Sequence, residues 1–301
     1  MKIIVSGSSG FVGAALLPRL EQAGHEVRRL VRRAPMPGEI RWDPAAGTID
    51  AAALEGCDAV IHLAGAGIAE HRWTDDYKRQ LRESRTSPTS LLSRALAGLE
   101  RRPSVLLSAS AIGWYGPRGD EPLDEQSDPG EGFLADLCQQ WEEATAPAEA
   151  AGIRVAHLRS GIVLSAKGGA LKKQLPLFKL GLGGKFGGGR QWQSWISLPD
   201  EIGAISHLLT ADVRGGVNLT APNPVTNAAF TTTLAKALRR PAVLPIPSFG
   251  PKLLLGAELA ESLLYTGQKV LPTALLAAGY RFEHPTLDVA LRALLSKSAT
   301  A

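Results

Sequence analysis

The stretch KIIVSGSSGFVG at residues 2–13 decides the fold. A short apolar run ends in three spaced glycines, Gly7, Gly10 and Gly13, and a helical pattern follows over residues 11–23. A chain that turns sharply out of a strand, approaches a pyrophosphate and then packs a helix on the sheet favours a residue without Cβ at each step. The helix N-terminus adds free N–H groups and partial positive charge. The stretch predicts a dinucleotide-binding turn, in preference to a tight βα turn without a ligand.

Strand-like and helical patterns alternate through the rest of the first two thirds of the chain. The predicted strands cover 2–7, 25–31, 38–42, 58–65, 104–110, 153–159 and 216–220, and the predicted helices cover 11–23, 75–98, 132–150 and 200–211. Such alternation is typical of βαβ units. We therefore expect an α/β fold of the Rossmann type, with a doubly wound parallel sheet and helices on both faces.

The amino-acid composition of the sequence changes after residue 165. Residues 166–195 are rich in glycine, lysine and aromatic residues, which favours a loop that covers a substrate over a flexible surface excursion. From residue 222 the chain has helical segments punctuated by proline. We expect a dinucleotide-binding domain over 1–221 that includes this loop, and a smaller, mostly helical substrate lobe over 222–301.

The end of the second predicted strand indicates which dinucleotide binds. A preference for NAD usually requires an acidic residue there, whereas an arginine accommodates the 2′-phosphate of NADP. The chain has Val31, Arg32 and Arg33 at this point and no acid. A guanidinium can hold a phosphate with two charge-assisted hydrogen bonds. The sequence favours NADP(H), with Arg32 as the principal contact and a solvated surface arginine as the alternative.

Composition narrows the classes of function. The chain has 301 residues, of which 45% are hydrophobic and 21% charged, a profile typical of a soluble globular protein. Its net charge of +4 comes without an aromatic-interleaved basic stripe, so we expect no nucleic-acid partner. Cys57 and Cys138 form no disulfide or metal framework, and no two histidines have metal-ligand spacing. With no signal peptide or long apolar segment in the sequence, we expect a cytoplasmic protein without a membrane or metal partner, as a monomer or homodimer.

Several further motifs together resemble one family. The glycine turn is followed by CDAVIHLAG at 57–65, SASAIGWYG at 108–116, RSGIVL at 159–164 and TAPNPVTNAAF at 220–230. With these motifs the chain resembles an atypical or extended short-chain dehydrogenase/reductase. More narrowly it resembles the family 39U member 1 type, an epimerase-like group. The resemblance implies a Rossmann fold and binding of NADP(H).

The resemblance also implies which residues contact the cofactor. In the phosphate turn they are Gly7, Ser8, Gly10, Phe11, Val12 and Gly13. Arg32 matches the 2′-phosphate contact, and Trp42 and Asp43 lie where such folds contact or flank the adenine. Leu63 and Ala64 match the region of the nicotinamide ribose, with Arg85, Gly161 and Ile162 as further contacts.

The usual catalytic residues of short-chain dehydrogenases are only partly present. Ser110 matches the serine that orients a substrate carbonyl, with Ser108 as the second choice. The family's Tyr and Lys stand four residues apart on one helix face, but the matching positions here are Leu134 and Cys138, or Phe133 and Leu137 in the adjacent register. The place of the family's relay Asn is taken by Arg85. The single Tyr-x-x-x-Lys match, Tyr265 to Lys269, contains Gly267 and follows every predicted strand, so we interpret it as fortuitous.

Other residues are candidates for the missing proton donor or for the substrate pocket. Tyr115 is the first candidate for the donor, with packing beside Trp114 as the alternative. Lys167 is a weaker candidate. The aromatic run QWQSWI at 191–196 predicts a pocket for a small planar or sugar-like ligand, or core packing.

Two functional hypotheses follow. The first is an NADP(H)-dependent oxidoreductase or epimerase-like enzyme with non-standard acid–base residues, Ser110 and Tyr115, acting on a small carbonyl or sugar-like substrate. The second is a catalytically silent sensor or regulatory protein that binds NADP(H), because the phosphate turn is complete and the Tyr/Lys pair is absent.

Overall fold

The structure is a computed structural model that describes residues 1–242 and 245–296. The strands are β1 (Lys2–Ser6), β2 (Glu26–Val31), β3 (Glu39–Asp43), β4 (Thr48–Ile49), β5 (Ala59–His62), β6 (Val105–Ala111), β7 (Pro122–Leu123), β8 (Arg154–Ser160), β9 (Ile162–Leu164), β10 (Trp192–Gln193), β11 (Trp195–Ser197), β12 (Gly215–Leu219), β13 (Val225–Thr226) and β14 (Lys269–Val270). The helices are α1 (Phe11–Gln22), α2 (Asp75–Ala97), α3 (Phe133–Glu143), α4 (Ala146–Ala150), α5 (Gly169–Lys179), α6 (Leu198–Leu208), α7 (Asn227–Leu238), α8 (Phe249–Leu255), α9 (Ala257–Ala260), α10 (Thr273–Ala277) and α11 (Leu287–Ser296).

The main sheet has the strand arrangement of a doubly wound fold. Within the described ranges it contains eight strands in the order β12-β8-β6-β5-β1-β2-β3-β4. All neighbouring strands are parallel except β3 and β4, which are antiparallel. The strand order reverses at β1, and ligands of such sheets bind in the crevice at the carboxyl ends of the strands beside this point. The predicted α/β fold is confirmed.

Two apolar cores cover the two faces of the sheet. One cluster packs β1, β5, β6 and β8 against α1 and α6, with Leu16, Leu20, Ile205 and Leu208 fully buried. The other packs the opposite face against α2 and α4. Because both faces are covered, the central strands are apolar along most of their length, as is usual in parallel sheets, and their polar residues lie mainly toward their carboxyl ends.

One predicted helix is divided in the structure. The pattern over 132–150 forms α3 and α4, which are separated at Ala144 and Thr145. The hydroxyl of Thr145 donates to the carbonyl oxygen of Glu142 at 2.7 Å, and Pro147 lacks an N–H that a continuous helix would use. The prediction of one uninterrupted helix was therefore wrong at this point.

The glycine-rich segment contains a helix that packs into a third apolar cluster. Its helix α5 buries Leu171, Leu175 and Phe178 against α7 and α11, around the fully buried Trp195. The segment is therefore more ordered than the flexible excursion that was its alternative interpretation. Short pairings, β10 with β13 and β7 with β14, also join residues on both sides of position 221. The division into 1–221 and 222–301 stays a prediction, and its lobe includes residues 243–244 and 297–301, which lie outside the described residues.

Other sequence features can be located directly. Cys57 and Cys138 are both buried free thiols. Along residues 1–242 and 245–296, no helix combines the length and apolarity needed to cross a membrane. Nor do three or more His, Cys, Asp or Glu side chains gather there in a way that would hold a metal ion.

A buried carboxylate ties the C-terminal segment to the Rossmann sheet. Asp200, in the first turn of α6, is inaccessible to solvent and accepts hydrogen bonds from the hydroxyl of Ser197 and from the backbone N–H groups of Glu283 and His284 at 2.7–3.0 Å. The hydroxyl of Tyr280 donates to the backbone oxygen of Asp200. One side chain thus satisfies backbone donors from a segment about 80 residues away in sequence.

We expect Asp200→Ala to lower the free energy of unfolding by roughly 2–4 kcal/mol, because it leaves buried donors without an acceptor. Urea unfolding measures this change. Asp212→Ala, at an exposed position, is the control and should shift the free energy of unfolding by less than about 0.5 kcal/mol. Equal effects of the two substitutions would contradict the tethering role of Asp200.

Candidate functional site

The turn between β1 and α1 is shaped by backbone contacts that only glycine permits. Gly7 has φ +66°, and a Cβ there would lie 2.6 Å from the carbonyl carbon of Leu63, at the end of β5. A Cβ on Gly13 would lie 2.3 Å from the carbonyl oxygen of Gly7. Gly10 occupies the N-cap of α1, and no side chain caps this described helix end. The first N–H groups of α1 are therefore available to an anion.

The remaining residues of the turn connect it to the glycine-rich segment. Ser8 is buried, and Val12 packs against the first core cluster. The ring of Phe11 is exposed on one side and lies against the start of α5, where a Cβ on Gly168 would lie 2.5 Å from the ring. The segment after β9 thus rests on the phosphate turn.

The two arginines that follow β2 have different environments. Arg33 forms a two-pronged ion pair with Glu39, with N–O distances of 2.7 and 2.6 Å. Arg32 is exposed and forms neither a hydrogen bond nor an ion pair with any described residue. The guanidinium of Arg33 is therefore occupied by Glu39, while that of Arg32 is available to a ligand.

Asp43, at the end of β3, is half-buried and caps the following turn by accepting from the N–H of Ala46 at 3.2 Å.

Trp42 and His62 are core residues. Trp42 is 2% exposed and meets His62 edge-to-face at 5.9 Å. His62 is hydrogen-bonded at 2.6 Å to Ser6 and at 3.0 Å to Thr89, and burial lowers its pKa to about 4. A neutral imidazole with a hydrogen-bond partner at each ring nitrogen is a packing residue of β5. Trp42 belongs to the second core cluster, and its contact with the adenine stays a prediction.

Leu63, Ala64 and Arg85 meet at the end of β5. Leu63 and Ala64 are the residues that Gly7 approaches. The guanidinium of Arg85, on α2, donates from Nη2 to the carbonyl oxygen of Ala66 at 2.9 Å, and a Cβ on Gly65 would lie 3.6 Å from its Cζ. Arg85 therefore supports the loop that borders the crevice next to the phosphate turn.

Ser110 belongs to a buried polar network. Its hydroxyl donates to Oε1 of Glu142 at 2.6 Å. Arg159, on β8, donates to both oxygens of Glu142 at 2.8 and 2.9 Å and stacks on Trp114 at 3.9 Å. Since the hydrogen of Ser110 is directed at Glu142, its oxygen is left as an acceptor.

Tyr115 has a different environment from the one expected. It ends a 3₁₀ turn over Ile112–Tyr115, is fully buried, and donates to Oδ1 of Asn218 at 2.7 Å while accepting from Arg159 at 3.1 Å. Burial raises the pKa of Tyr115. Its catalytic role stays a prediction, and this geometry favours the packed alternative.

At the positions that match the family's Tyr and Lys, helix α3 presents no proton donor. Leu134 and Cys138 lie against Gly113, where a Cβ would be 3.2 Å from Leu134 and 3.5 Å from the sulfur of Cys138. Burial raises the pKa of Cys138 to about 12, so the thiol is neutral and unreactive. Tyr265 and Lys269 do not share a helix, because Tyr265 ends a π turn and Lys269 begins β14.

The other residues predicted to line the pocket make contacts with neighbouring residues of the protein. Ile162 pairs with Trp195 between β9 and β11, and a Cβ on Gly161 would lie 2.5 Å from the oxygen of Ser194. Gln191 donates to the backbone oxygens of Phe186 and Leu264, and Trp192 donates to Asp120. These contacts favour the packing interpretation of QWQSWI. The side chain of Lys167 is exposed on the loop after β9.

Comparisons with known proteins now decide the family. The model of the NAD-dependent epimerase/dehydratase family matches residues 3–220, and a domain of unknown function matches residues 246–294. The chain belongs to the NAD-dependent epimerase/dehydratase family. It is 45% identical to an epimerase family protein of Mycobacterium tuberculosis over 96% of each chain. It is 38% identical to the human epimerase family protein SDR39U1 over 98% of this chain and 100% of that protein, which confirms the resemblance to the 39U member 1 type.

Two solved structures of this family agree with the fold. The crystal structure of human SDR39U1 (isoform2) with NADPH superposes with a TM-score of 0.90 at 36% identity, covering 98% of this chain and 99% of that chain. A nucleoside-diphosphate sugar epimerase from Corynebacterium glutamicum superposes with a TM-score of 0.80 at 38% identity, over 99% of this chain and 58% of that chain.

Sequence reasoning missed Glu142, Arg159 and a second carboxyl, Glu201. Glu201, on α6, is fully buried in this epimerase-family fold and accepts from the hydroxyl of Ser160 at 2.6 Å, while its Oε2 has no partner among the described residues. Burial raises the pKa of Glu201 to about 8. Charged residues at inward positions of the predicted strand 153–159 and helix 132–150 were the available signal for Arg159 and Glu142.

The raised pKa of Glu201 predicts a specific pH dependence of stability. Between pH 4.5 and about 8 the folded state holds a proton that the unfolded state has released, so the free energy of unfolding falls as pH rises through this window. Glu201→Gln should therefore become increasingly stable relative to wild type from pH 5 to 8, by up to about 1.4 kcal/mol per pH unit. Urea unfolding at successive pH values measures this, with exposed Glu143→Gln as the control. A pH-independent difference would contradict the assignment.

Proposed function

We propose that the protein is an NADP(H)-dependent oxidoreductase or epimerase-type enzyme for a small carbonyl or sugar-like substrate, with Ser110 and Glu142 in place of the usual Tyr/Lys pair. The close approach of the glycine turn to the end of β5 carries the cofactor part of this proposal. The hydrogen bond from Ser110 to Glu142 carries the catalytic part.

The residues present fit NADP(H). A Cβ at Gly7 or Gly13 would collide with backbone atoms of Leu63 or of Gly7, so both glycines are needed for the turn into α1, whose uncapped N-terminus would hold the pyrophosphate. Arg32 is free for the 2′-phosphate, and Asp43 would flank the adenine. Leu63, Ala64, Arg85 and Ile162 would border the nicotinamide half. The human SDR39U1 structure, which contains NADPH, supports this assignment.

Ser110 and Glu142 would transfer the proton of the substrate hydroxyl. When bound, NADP(H) supplies or accepts the hydride. In the oxidative direction the substrate hydroxyl would donate to the oxygen of Ser110, and the original hydrogen of Ser110 would pass to Glu142 as the substrate O–H bond breaks. The reductive direction reverses these transfers.

A route to solvent leads away from Glu142. Its Oε2 lies 3.4 Å from Nδ1 of His157, whose Nε2 is 2.9 Å from the hydroxyl of Thr145 and 3.5 Å from the partly exposed carboxylate of Glu149. This chain of groups would let the proton exchange with bulk water without opening the site.

A sensor without turnover is the second candidate function. It is favoured by helix α3, where Leu134 and Cys138, or Phe133 and Leu137 in the adjacent register, match the positions of the family's Tyr and Lys. Such a protein would bind NADP(H) with the same turn and would need no connection from Ser110 to solvent.

Arg32→Ala should weaken binding of NADPH about tenfold to a hundredfold and leave binding of NADH unchanged, because only the 2′-phosphate contact is lost. Isothermal titration calorimetry measures both affinities. Arg33→Ala is the matched control, since Arg33 is held by Glu39. A larger loss of NADPH affinity in Arg33→Ala than in Arg32→Ala would assign the 2′-phosphate contact to Arg33.

Oxidation of NADPH should occur with at least one class among aldehydes, ketones, quinones and enones, and Ser110→Ala should lower kcat about 10²- to 10⁴-fold. Ser108→Ala is the control on the same strand, because the hydroxyl of Ser108 contacts no described polar group. Tight binding of NADPH without turnover on any class would instead support the sensor.

A further inference from the structure

Arg85 and Arg159 are the two arginines buried in the described part of the chain, with exposed fractions of 8% and 4%. Both lie on a tryptophan ring, Arg159 on Trp114 at 3.9 Å and Arg85 on Trp141 at 5.0 Å. The two arginines differ in whether a carboxylate compensates their charge. Arg159 is neutralised by Glu142 through two hydrogen bonds, whereas no carboxylate among residues 1–242 and 245–296 forms an ion pair with Arg85.

The contacts of Arg85 leave part of its guanidinium open. Nη1 donates to the backbone oxygen of Leu81 at 3.0 Å and to the hydroxyl of Ser84 at 3.4 Å, and Nη2 donates to the backbone oxygen of Ala66 at 2.9 Å. These acceptors are neutral. Nε has no acceptor among the described residues, so Nε and the second hydrogen of Nη2 remain available to a ligand.

A buried cation without a counter-ion is expensive, and burial lowers the pKa of Arg85 accordingly. Arg85 lies close to the crevice, where its charge can bind an anionic ligand. A Cβ on Gly65 would lie 3.6 Å from Cζ of Arg85, and Gly65 follows Ala64, whose backbone nitrogen lies beside Gly7 of the phosphate turn. On the other side, the charge of Arg85 opposes the rise in the pKa of Cys138, which matches the position of the family's lysine in one of the two registers.

We propose that Arg85 binds an oxygen anion of the substrate, such as a carboxylate next to the reacting carbon. The proposal rests on the proposed function, which places NADP(H) in the crevice. The phosphates of NADP(H) would be held by the glycine turn and Arg32, and the nicotinamide end brings no negative charge. An oxidised nicotinamide would be repelled by an uncompensated guanidinium, so the compensating anion has to come with the substrate.

Binding of oxamate, a small stable carboxylate, and of its neutral analogue oxamide tests the assignment. Calorimetry is carried out on the complex of the full chain with NADPH, for wild type, Arg85→Met, Arg85→Lys and the control Arg94→Met, an exposed arginine of the same helix. We expect wild type to bind oxamate and not oxamide, Arg85→Met to lose at least about tenfold in affinity for oxamate, and Arg85→Lys to lose less. Equal binding of oxamate by wild type and Arg85→Met, or no binding by wild type, would overturn the proposal.

The cofactor is the competing source of an oxygen anion or ribose oxygen for Arg85. Affinities for NADPH and for 2′,5′-ADP, which lacks the nicotinamide half, separate the two. If Arg85→Met binds both as wild type does, the site belongs to the substrate; a loss confined to NADPH would assign Arg85 to the cofactor and overturn the proposal.

Two further readouts do not depend on activity. The ¹H–¹⁵N signal of the Arg85 Nε group should shift on addition of oxamate to the protein without cofactor, so failure of wild type to bind NADPH would count against the proposed function and not by itself against the anion site. Thermal unfolding should show that Arg85→Met, which loses a hydrogen bond to the loop after β5, is destabilised less than Arg159→Met, which leaves the buried charge of Glu142 without a partner. Equal destabilisation by the two substitutions would make Arg85 a structural cation and overturn the proposal.

Discussion

The contact of Gly7 with the end of β5 is the constraint on which the site depends. A Cβ at Gly7 would lie 2.6 Å from the backbone of Leu63, so the chain leaves β1 in a conformation that brings two strand ends together. This approach sets the start of α1, and it also sets the path of residues 63–66, which Arg85 then holds from α2. The phosphate turn and the chemistry-bearing end of the crevice are consequently positioned by one backbone contact.

In the proposed site, the polar groups differ from the family's usual Tyr and Lys while the fold is unchanged. Helix α3 has apolar or neutral side chains where a Tyr and a Lys would stand, yet it carries Glu142 one turn beyond Cys138. Glu142 receives the hydroxyl of Ser110 and two bonds from Arg159. In the proposed site, positive charge would come from Arg85 on α2 instead of from a lysine on α3. The family's fold therefore constrains where groups can act more than which helix supplies them.

Much of the fold was predictable because it depends on local patterns. Glycine spacing, strand periodicity and the arginine after β2 are each visible within about ten residues. The network at Ser110 was not predictable in this way, because Glu142 and Arg159 are 17 residues apart on different elements and meet only after packing. Tyr115 shows the same limit. Its closeness to Ser110 in sequence suggested a shared pocket, but the 3₁₀ turn over Ile112–Tyr115 directs its ring into the core.

The energetics of buried charge bear on the choice between enzyme and sensor. A buried ion pair is weak evidence for stability, since apolar residues of similar volume often stabilise a core equally well. Glu142 and Arg159 form such a pair, and it is connected to Ser110 on one side and through His157 toward solvent on the other. A sensor would need the glycine turn and Arg32 to bind NADP(H). It would not need the hydrogen bond from the hydroxyl of Ser110 to the carboxylate of Glu142. The cost of holding these groups under the crevice is more easily explained by proton transfer than by cofactor binding alone.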